Sequence, residues 1–288
     1  MFAVYKREFR AYMSNVYGWM FMAVLLLFVG FMVFRENLST GVPYLEYALL
    51  GSKYVLFLMI PILCMRSMAE DRRNKTDMFY LSLPLRTRSV VVGKYLALLT
   101  VYAIPCAVIA VYPVLLRVFG VVNFAGAYSS LLSFFLLGAA LIAVCQFLSA
   151  LTDNLVVAAV LGVLGCLLLF ALTILAYILP SAPIVSYVGI LVLAILAAVV
   201  AYLSTRSLMV TIVTAAVLVI PASLIYVLEA DVFRGLLPAF LERVALFAQF
   251  DNVSTYGWLS IPSLVLFLSY PVFFVFLTIR AADRKRFA

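Results

Sequence analysis

The densest cluster of chemically capable side chains in this chain is the run Glu70-Asp71-Arg72-Arg73-Asn74-Lys75-Thr76-Asp77, followed at once by Met78, Phe79 and Leu81 and stopped by Pro84. Carboxylates and guanidiniums interleaved in this way do not form a catalytic constellation. They read as a charged helix start, an apolar patch and a proline stop. Met78, Phe79 and Leu81 need a cover if they face water. Either a partner protein supplies it, or the loop packs on itself and the basic residues act as anchors. The residues alone leave both readings open.

The tools of other chemistries are missing. The chain contains no histidine, which removes a Ser–His dyad, an HExxH zinc site and a histidine proton relay. It has no GxxxxGK[ST] segment with which to cradle a nucleotide phosphate. Asp153 stands at a span boundary with no evident carboxylate partner. Glu46, Lys53 and Lys94 lie near the ends of apolar runs, where snorkelling to the interface is cheap. The deeply placed ionisable groups of an ion-coupled carrier are therefore nearly absent. Cys64, Cys106, Cys145 and Cys166 sit within or at the ends of apolar runs and form no CxxC. They read as small packing residues, with no disulfide framework or metal site implied. The energy for any vectorial work would have to come from another subunit.

The elements that carry these residues are membrane helices. The chain is 67% apolar and 11% charged over 288 residues, against about a quarter charged in soluble domains. The apolar residues form continuous runs such as Leu155 to Ala176. Such runs span a bilayer as helices, whereas a barrel would alternate apolar and polar residues. The expected fold is an all-α polytopic bundle forming a single transmembrane domain over 1–288, with eight spans near 18–34, 47–65, 93–116, 127–149, 155–179, 184–203, 207–228 and 260–280. Only Ser204, Thr205 and Arg206 separate the sixth from the seventh, so a six-span bundle is the alternative. Pro105, Pro113, Pro221 and Pro271 fall inside runs and predict kinks. The run beginning near Gly18 lacks a signal-peptide cleavage pattern and is kept as a span.

Charge sets the orientation. With the N-terminus inside and eight crossings, fifteen basic residues fall inside and five (Arg35, Lys53, Arg117, Arg234 and Arg243) outside. This bias places both termini in the cytoplasm of a multi-pass plasma-membrane protein. The net charge of +8 is absorbed by the same rule and does not call for nucleic acid. Residues 1–16 form a basic amphipathic segment, with Phe2, Tyr5, Phe9, Tyr12, Met13 and Val16 on one stripe and Arg7, Arg10, Ala11 and Ser14 opposite. It reads as an interfacial helix, or else as a plain positive anchor. Residues 66–92 form the cytoplasmic loop. Residues 229–259 form an external segment able to hold short helices. Gly138, Ala139, Ala140 and Ala143 are small enough to mark a close helix contact.

The charged run resembles the membrane subunits of ABC transporters of the ABC-2 type, close to the permeases named for gliding motility and copper-enzyme maturation. Their pattern A-E-E-R-R-x-G-T-x-E-x-L-L-x-x-P, followed by G-K at the third span, is matched by Ala69, Glu70, Asp71, Arg72, Arg73, Thr76, Leu81 and Pro84, then Gly93 and Lys94. Lys75 replaces the usual glycine, and Met78 the usual glutamate, with Asp77 as the nearest carboxylate. Ser149-Ala150-Leu151-Thr152-Asp153-Asn154, Phe250-Asp251-Asn252-Val253-Ser254, and the opening Lys6-Arg7-Glu8-Phe9-Arg10-Ala11-Tyr12 are further points of similarity. The resemblance covers nearly the whole chain, although the family core has six spans.

The resemblance implies an exporter permease that pairs with a second, identical or related permease and with two copies of a cytoplasmic ATPase subunit. That subunit would hold ATP and Mg, and this chain would hold no cofactor. A coupling helix would meet the ATPase through Glu70, Asp71, Arg72, Arg73, Thr76, Met78, Phe79 and Leu81, with Arg72 and Arg73 near the surface. The first helix, with Lys6, Arg7, Phe9 and Arg10, would be a second contact. A non-transporting membrane scaffold shares the same composition and is the rival reading. A lipid-acting membrane enzyme would need polar residues clustered at one depth, which the sequence does not show.

Overall fold

The computed structural model describes residues 1–73, 87–205 and 229–286, together with Met209, Ala216, Val217, Val219, Ser223, Tyr226 and Leu228. Every regular element among the described residues is helical. In chain order these are α1 (Phe2–Ser14), α2 (Val16–Val33, closing in a π turn Phe34–Leu38), α3 (Leu45–Arg73), α4 (Thr87–Ile109), α5 (Tyr112–Leu116), α6 (Phe124–Ser149), α7 (Leu155–Ile178), α8 (Pro183–Thr205), α9 (Leu236–Val244), α10 (Leu246–Tyr256) and α11 (Ile261–Arg286). A 3-10 turn, Ala230–Phe233, precedes α9.

Six of these segments are long and apolar enough to cross a membrane: Val16–Leu38, Leu45–Arg73, Thr87–Leu116, Phe124–Ser149, Leu155–Ile178 and Ile261–Arg284. Each sits on a run that the hydropathy pattern marks as a span. α8 coincides with the expected sixth run. The expected seventh, 207–228, lies largely outside the described residues, as do Arg206 and Pro221. Pro105 and Pro271 stay inside continuous helices. Pro113 instead opens the short α5, after α4 ends at Ile109. A proline at a first turn gives up an N–H that has no partner there anyway.

The chain divides into two compact units, Met1–Leu169 with Leu246–Ala288, and Phe170–Ala245. In the first unit α6 is central, with 72% of its most apolar window buried. Small residues account for this. Gly138, Ala139, Ala140 and Ala143 are all buried, and Tyr95 Oη donates to the Ala139 carbonyl at 3.2 Å. A Cβ on Gly138 would run into the ring of Tyr102. That ring is fully buried, stacks on Phe135 at 5.7 Å and donates its hydroxyl to the Phe134 carbonyl at 2.8 Å. Small residues let helices approach closely where lipid offers no hydrophobic drive between them.

In the second unit the 3-10 turn Ala230–Phe233 is followed by the short helix α9. Tyr187, Tyr226 and Phe233 form an aromatic group, the tyrosines stacked at 4.5 Å. The Leu237 N–H donates to Ser186 Oγ at 3.1 Å.

Gly138→Ala is expected to lower the stability of the detergent-solubilised protein by roughly 1–3 kcal/mol, the usual cost of overpacking. The readout is a fall in the thermal-unfolding midpoint. Adding Tyr102→Leu, which removes the ring, should recover part of the loss. An unchanged midpoint in the single variant would refute the close approach.

Candidate functional site

The described part of the charged run, Glu70–Arg73, does not begin a new helix. It is the end of α3, which continues past the apolar run to Arg73 because Arg66-Ser67-Met68-Ala69-Glu70-Asp71 are compatible with helix and find partners on one side. Arg66 clamps Glu70 one turn away through Nε at 2.7 Å and also lies over the Tyr17 ring at 4.5 Å. The N–H groups of Met68 and Ala69 donate to Ser149 Oγ, whose hydroxyl donates to the Met65 carbonyl. The end of α3 is thereby sewn to the end of α6.

Lys94 is the hub of the site. Its side chain is 3% exposed. The ammonium lies 2.6 Å from Asp71 Oδ2 on α3 and 3.5 Å from Glu8 Oε1 on α1, and it also donates to the Ser67 carbonyl. Arg7 contacts the same Glu8 at 2.6 Å. The expectation that Lys94 snorkels to an interface is therefore corrected. A buried ammonium is costly unless it is paired and hydrogen-bonded, and here three elements converge to pair it. The neighbouring Gly93 allows the convergence: a Cβ there would come within 3.2 Å of the Met1 carbonyl oxygen and of Val4 Cβ.

This pairing also resets the face of α1. The expected apolar stripe does not all point one way. Val4, Glu8 and Tyr12 face the bundle, with Tyr12 donating to the Leu63 carbonyl at 3.4 Å. Tyr5 meets Thr100 Oγ1 at 3.2 Å. Phe2 and Val16 are exposed, and Phe9 is half-buried. Lys6, Arg7 and Arg10 are exposed. Between α1, α3 and α4 lies an open cleft of about 340 Å³, lined by Arg7, Glu8, Tyr12, Arg66, Glu70, Asp71 and Lys94.

The predicted contact residues separate into two groups. Asp71 and Arg72 turn inward. Arg72, with its side chain 11% exposed, lies 3.6 Å from Asp153 Oδ1, so its expected place near the surface is corrected. Glu70 is partly exposed and Arg73 exposed. Thr76, Met78, Phe79 and Leu81 lie outside the described residues. The Ser149–Asn154 segment has a structural role throughout: Ser149 holds α3, Asp153 faces Arg72, and Asn154 Oδ1 accepts from the Val156 N–H at the start of α7.

Sequence reasoning missed a second buried pair. Lys53 Nζ donates to both oxygens of Asp251, at 2.6 and 2.7 Å, with the lysine side chain 9% exposed. Burial raises the Asp251 carboxyl above its ordinary value, and the Lys53 hydrogen bonds and charge pull it back down. This pair fastens α10 to α3, while Phe250 packs on Phe134 at 6.1 Å. The available signal was a lysine well inside an apolar run, about 12 Å along the helix from Leu45.

The end of the last span returns to the α1 end of this unit. Val275, Ile279 and Ala282 pack on Met68, Val91 and Ala150. The four cysteines are buried, with Cys145 and Cys166 sulfurs 3.6 Å apart.

Lys94→Met removes the cation that Asp71 shares with Glu8, leaving Glu8 with Arg7, and is expected to cost on the order of 3 kcal/mol. Thermal unfolding of the purified chain reads this loss. Adding Asp71→Asn and Glu8→Gln should restore much of it. Equal stability of wild type and single variant would contradict the hub.

No curated protein matches the sequence significantly. The profile describing ABC-2 family transporter proteins matches residues 37–220, well over half of the chain. The matched region contains the α3 end, the Gly93-Lys94 pair and the Ser149–Asn154 junction. With six helices able to cross a membrane, the chain belongs to the ABC-2 family of transporter proteins and is a multi-pass membrane permease.

Proposed function

We propose that this chain is the permease subunit of an ATP-driven exporter in the plasma membrane, paired with a second permease, identical or related, and driven by two cytoplasmic ATPase subunits that carry ATP and Mg. The observation that carries this reading is the Lys94 cluster. The end of α3 leads directly into the charged loop and is clamped to α1 and α4 by buried charge pairs. A force applied at the loop is then delivered to three helices as one body, since packed cores shift as rigid pieces between discrete arrangements.

The docking surface is Glu70, Arg73, Thr76, Met78, Phe79 and Leu81 of the coupling segment, flanked by Lys6, Arg7, Phe9 and Arg10 of the first helix. Asp71 and Arg72 belong instead to the transmission. Closure of the ATPase pair pushes the coupling segments. The two permeases then alternate exposure of a path between them, because each state binds the closed and open ATPase differently. Termini in the cytoplasm, and an eight-span count that includes 207–228, complete the arrangement. The basic residues concentrated around the α1 end favour that end as cytoplasmic.

Co-purification tests the core of this reading. The tagged chain, expressed with its neighbouring genes and extracted gently, should carry a stoichiometric ATPase. Arg73→Glu with Phe79→Asp should release that ATPase while leaving membrane insertion intact. A chain that purifies alone even after crosslinking at 70–83 would favour the scaffold reading. Orientation has its own test. In a cysteine-free background, Asp283→Cys should react with an impermeant maleimide only from the cytoplasmic side. Labelling from outside intact cells would reverse the topology.

A further inference from the structure

At the other end of the first unit, about 37 Å along α3 from Asp71, Glu46 presents a different situation. Its residue is 8% exposed, and its Oε2 has no hydrogen-bond partner. The carboxylate lies against the bare backbone of Gly126, where any Cβ would run into Oε1. It lines a pocket of about 300 Å³ together with Tyr44, Tyr47, Asn123, Ser254 and Tyr256. Ser254, 3% exposed, also keeps an unpartnered buried oxygen. The pocket therefore gathers two buried polar atoms without partners, one of them a carboxyl oxygen. Native proteins seldom leave such groups unsatisfied, and each one calls for an explanation.

The walls indicate the occupant. Tyr44 and Tyr47 meet edge to face, with centroids 6.2 Å apart, and Tyr256 stands exposed at the same opening. Gly257, at φ 73°, closes α10 in the left-handed conformation, and its carbonyl accepts from Ser129 Oγ at 2.9 Å. This holds the Ser254–Tyr256 wall in place. Tyrosine rings around a carboxylate are the arrangement that receives an organic ammonium, through cation–π attraction and charge pairing. A metal ion is a poorer fit: among the described residues no three acidic or cysteine side chains gather to hold one. Interfacial tyrosines also occur as plain membrane anchors, but an anchoring belt has no use for a buried carboxylate and a buried serine hydroxyl beneath it. The volume sits at the lower end of small-molecule sites, about 300–1,000 Å³.

We propose that this pocket binds an amine cation, with Glu46 as the counter-charge, Tyr44, Tyr47 and Tyr256 as the ring wall, and Ser254 as a polar contact. The cation comes either from the head group of a lipid such as phosphatidylethanolamine or phosphatidylcholine, or from a free amine. The site is independent of the exporter reading.

The test uses the full chain in nanodiscs made only of phosphatidylglycerol, with choline as the soluble probe in titration calorimetry. Saturable binding is expected, weakened at least tenfold by the isosteric Glu46→Gln and by Tyr47→Ala, and unchanged by Glu36→Gln. A second arm uses nanodiscs of mixed phosphatidylethanolamine and phosphatidylglycerol and counts lipids retained in native mass spectra. Wild type should keep phosphatidylethanolamine in excess of Glu46→Gln. Choline binding alone identifies a free amine, lipid retention alone a head group, and both together a shared site. Neither response, or responses that ignore both substitutions, overturns the proposal.

Discussion

The structure depends on one constraint: an ion enclosed in a membrane bundle must find its counter-charge within the protein. Enclosure strips away most of its hydration, and lipid offers nothing in its place. Lys94 shows the consequence. To satisfy one ammonium, the chain brings Glu8 from its first helix and Asp71 from the end of α3 to the start of α4. The position of α1, the inward face it presents and the need for glycine at 93 all follow from that convergence. An amphipathic helix free in the interface would have laid its aromatic stripe on lipid. This one turns Val4, Glu8 and Tyr12 to the bundle, because the carboxylate is worth more beside Lys94 than in the headgroup region.

The Lys53–Asp251 pair applies the same rule further along α3. There the acid arrives from α10, 198 residues away in sequence. It draws a helix too short to span a membrane into the first unit, where Phe247 and Phe250 are fully buried. Two ion pairs therefore brace α3 near its two ends. Between them α6 packs by small residues and backbone-directed hydroxyls. Charge fixes where the elements meet, and Gly138, Ala139, Ala140 and Ala143 fix how closely.

These two kinds of information were unequally legible. Spans read directly from the sequence, since lipid imposes length and apolarity on each segment without reference to any other. Hence Phe124–Ser149 and Leu155–Ile178 fall within a few residues of the runs that announce them. The small residues of α6 were visible for a similar reason: a cluster of Gly and Ala is a local pattern. The face of α1 was not visible, because Glu8 looks like any other residue on the polar side until Lys94 is placed opposite it. Lys53 was read as snorkelling because its distance from a span end permits that in isolation. Arg72 was placed at the surface by the charge around it, and Asp153 shows that it is drawn inward. In each case the deciding partner lay on another helix, and periodicity carries no record of contacts between helices. The resemblance marked Gly93, Lys94, Asp153 and Asp251 as positions of interest, without saying that each is one side of a contact.

The rule that explains Lys94 and Lys53 also singles out Glu46. Among the described residues, the buried Lys53 and Lys94 each have a carboxylate within hydrogen-bonding distance, and the inward-facing Arg72 lies beside Asp153 at 3.6 Å. Glu46 is as enclosed as these groups, yet its Oε2 has no hydrogen-bond partner, and the residue lines a pocket walled by tyrosines. A bundle that elsewhere recruits a distant helix to neutralise one charge had the means to recruit a basic residue here. Arg35, in the π turn that closes α2, pairs with Glu36 instead. Leaving a carboxylate unpaired beneath an aromatic rim is the arrangement that keeps the position available to a positive group from outside the chain.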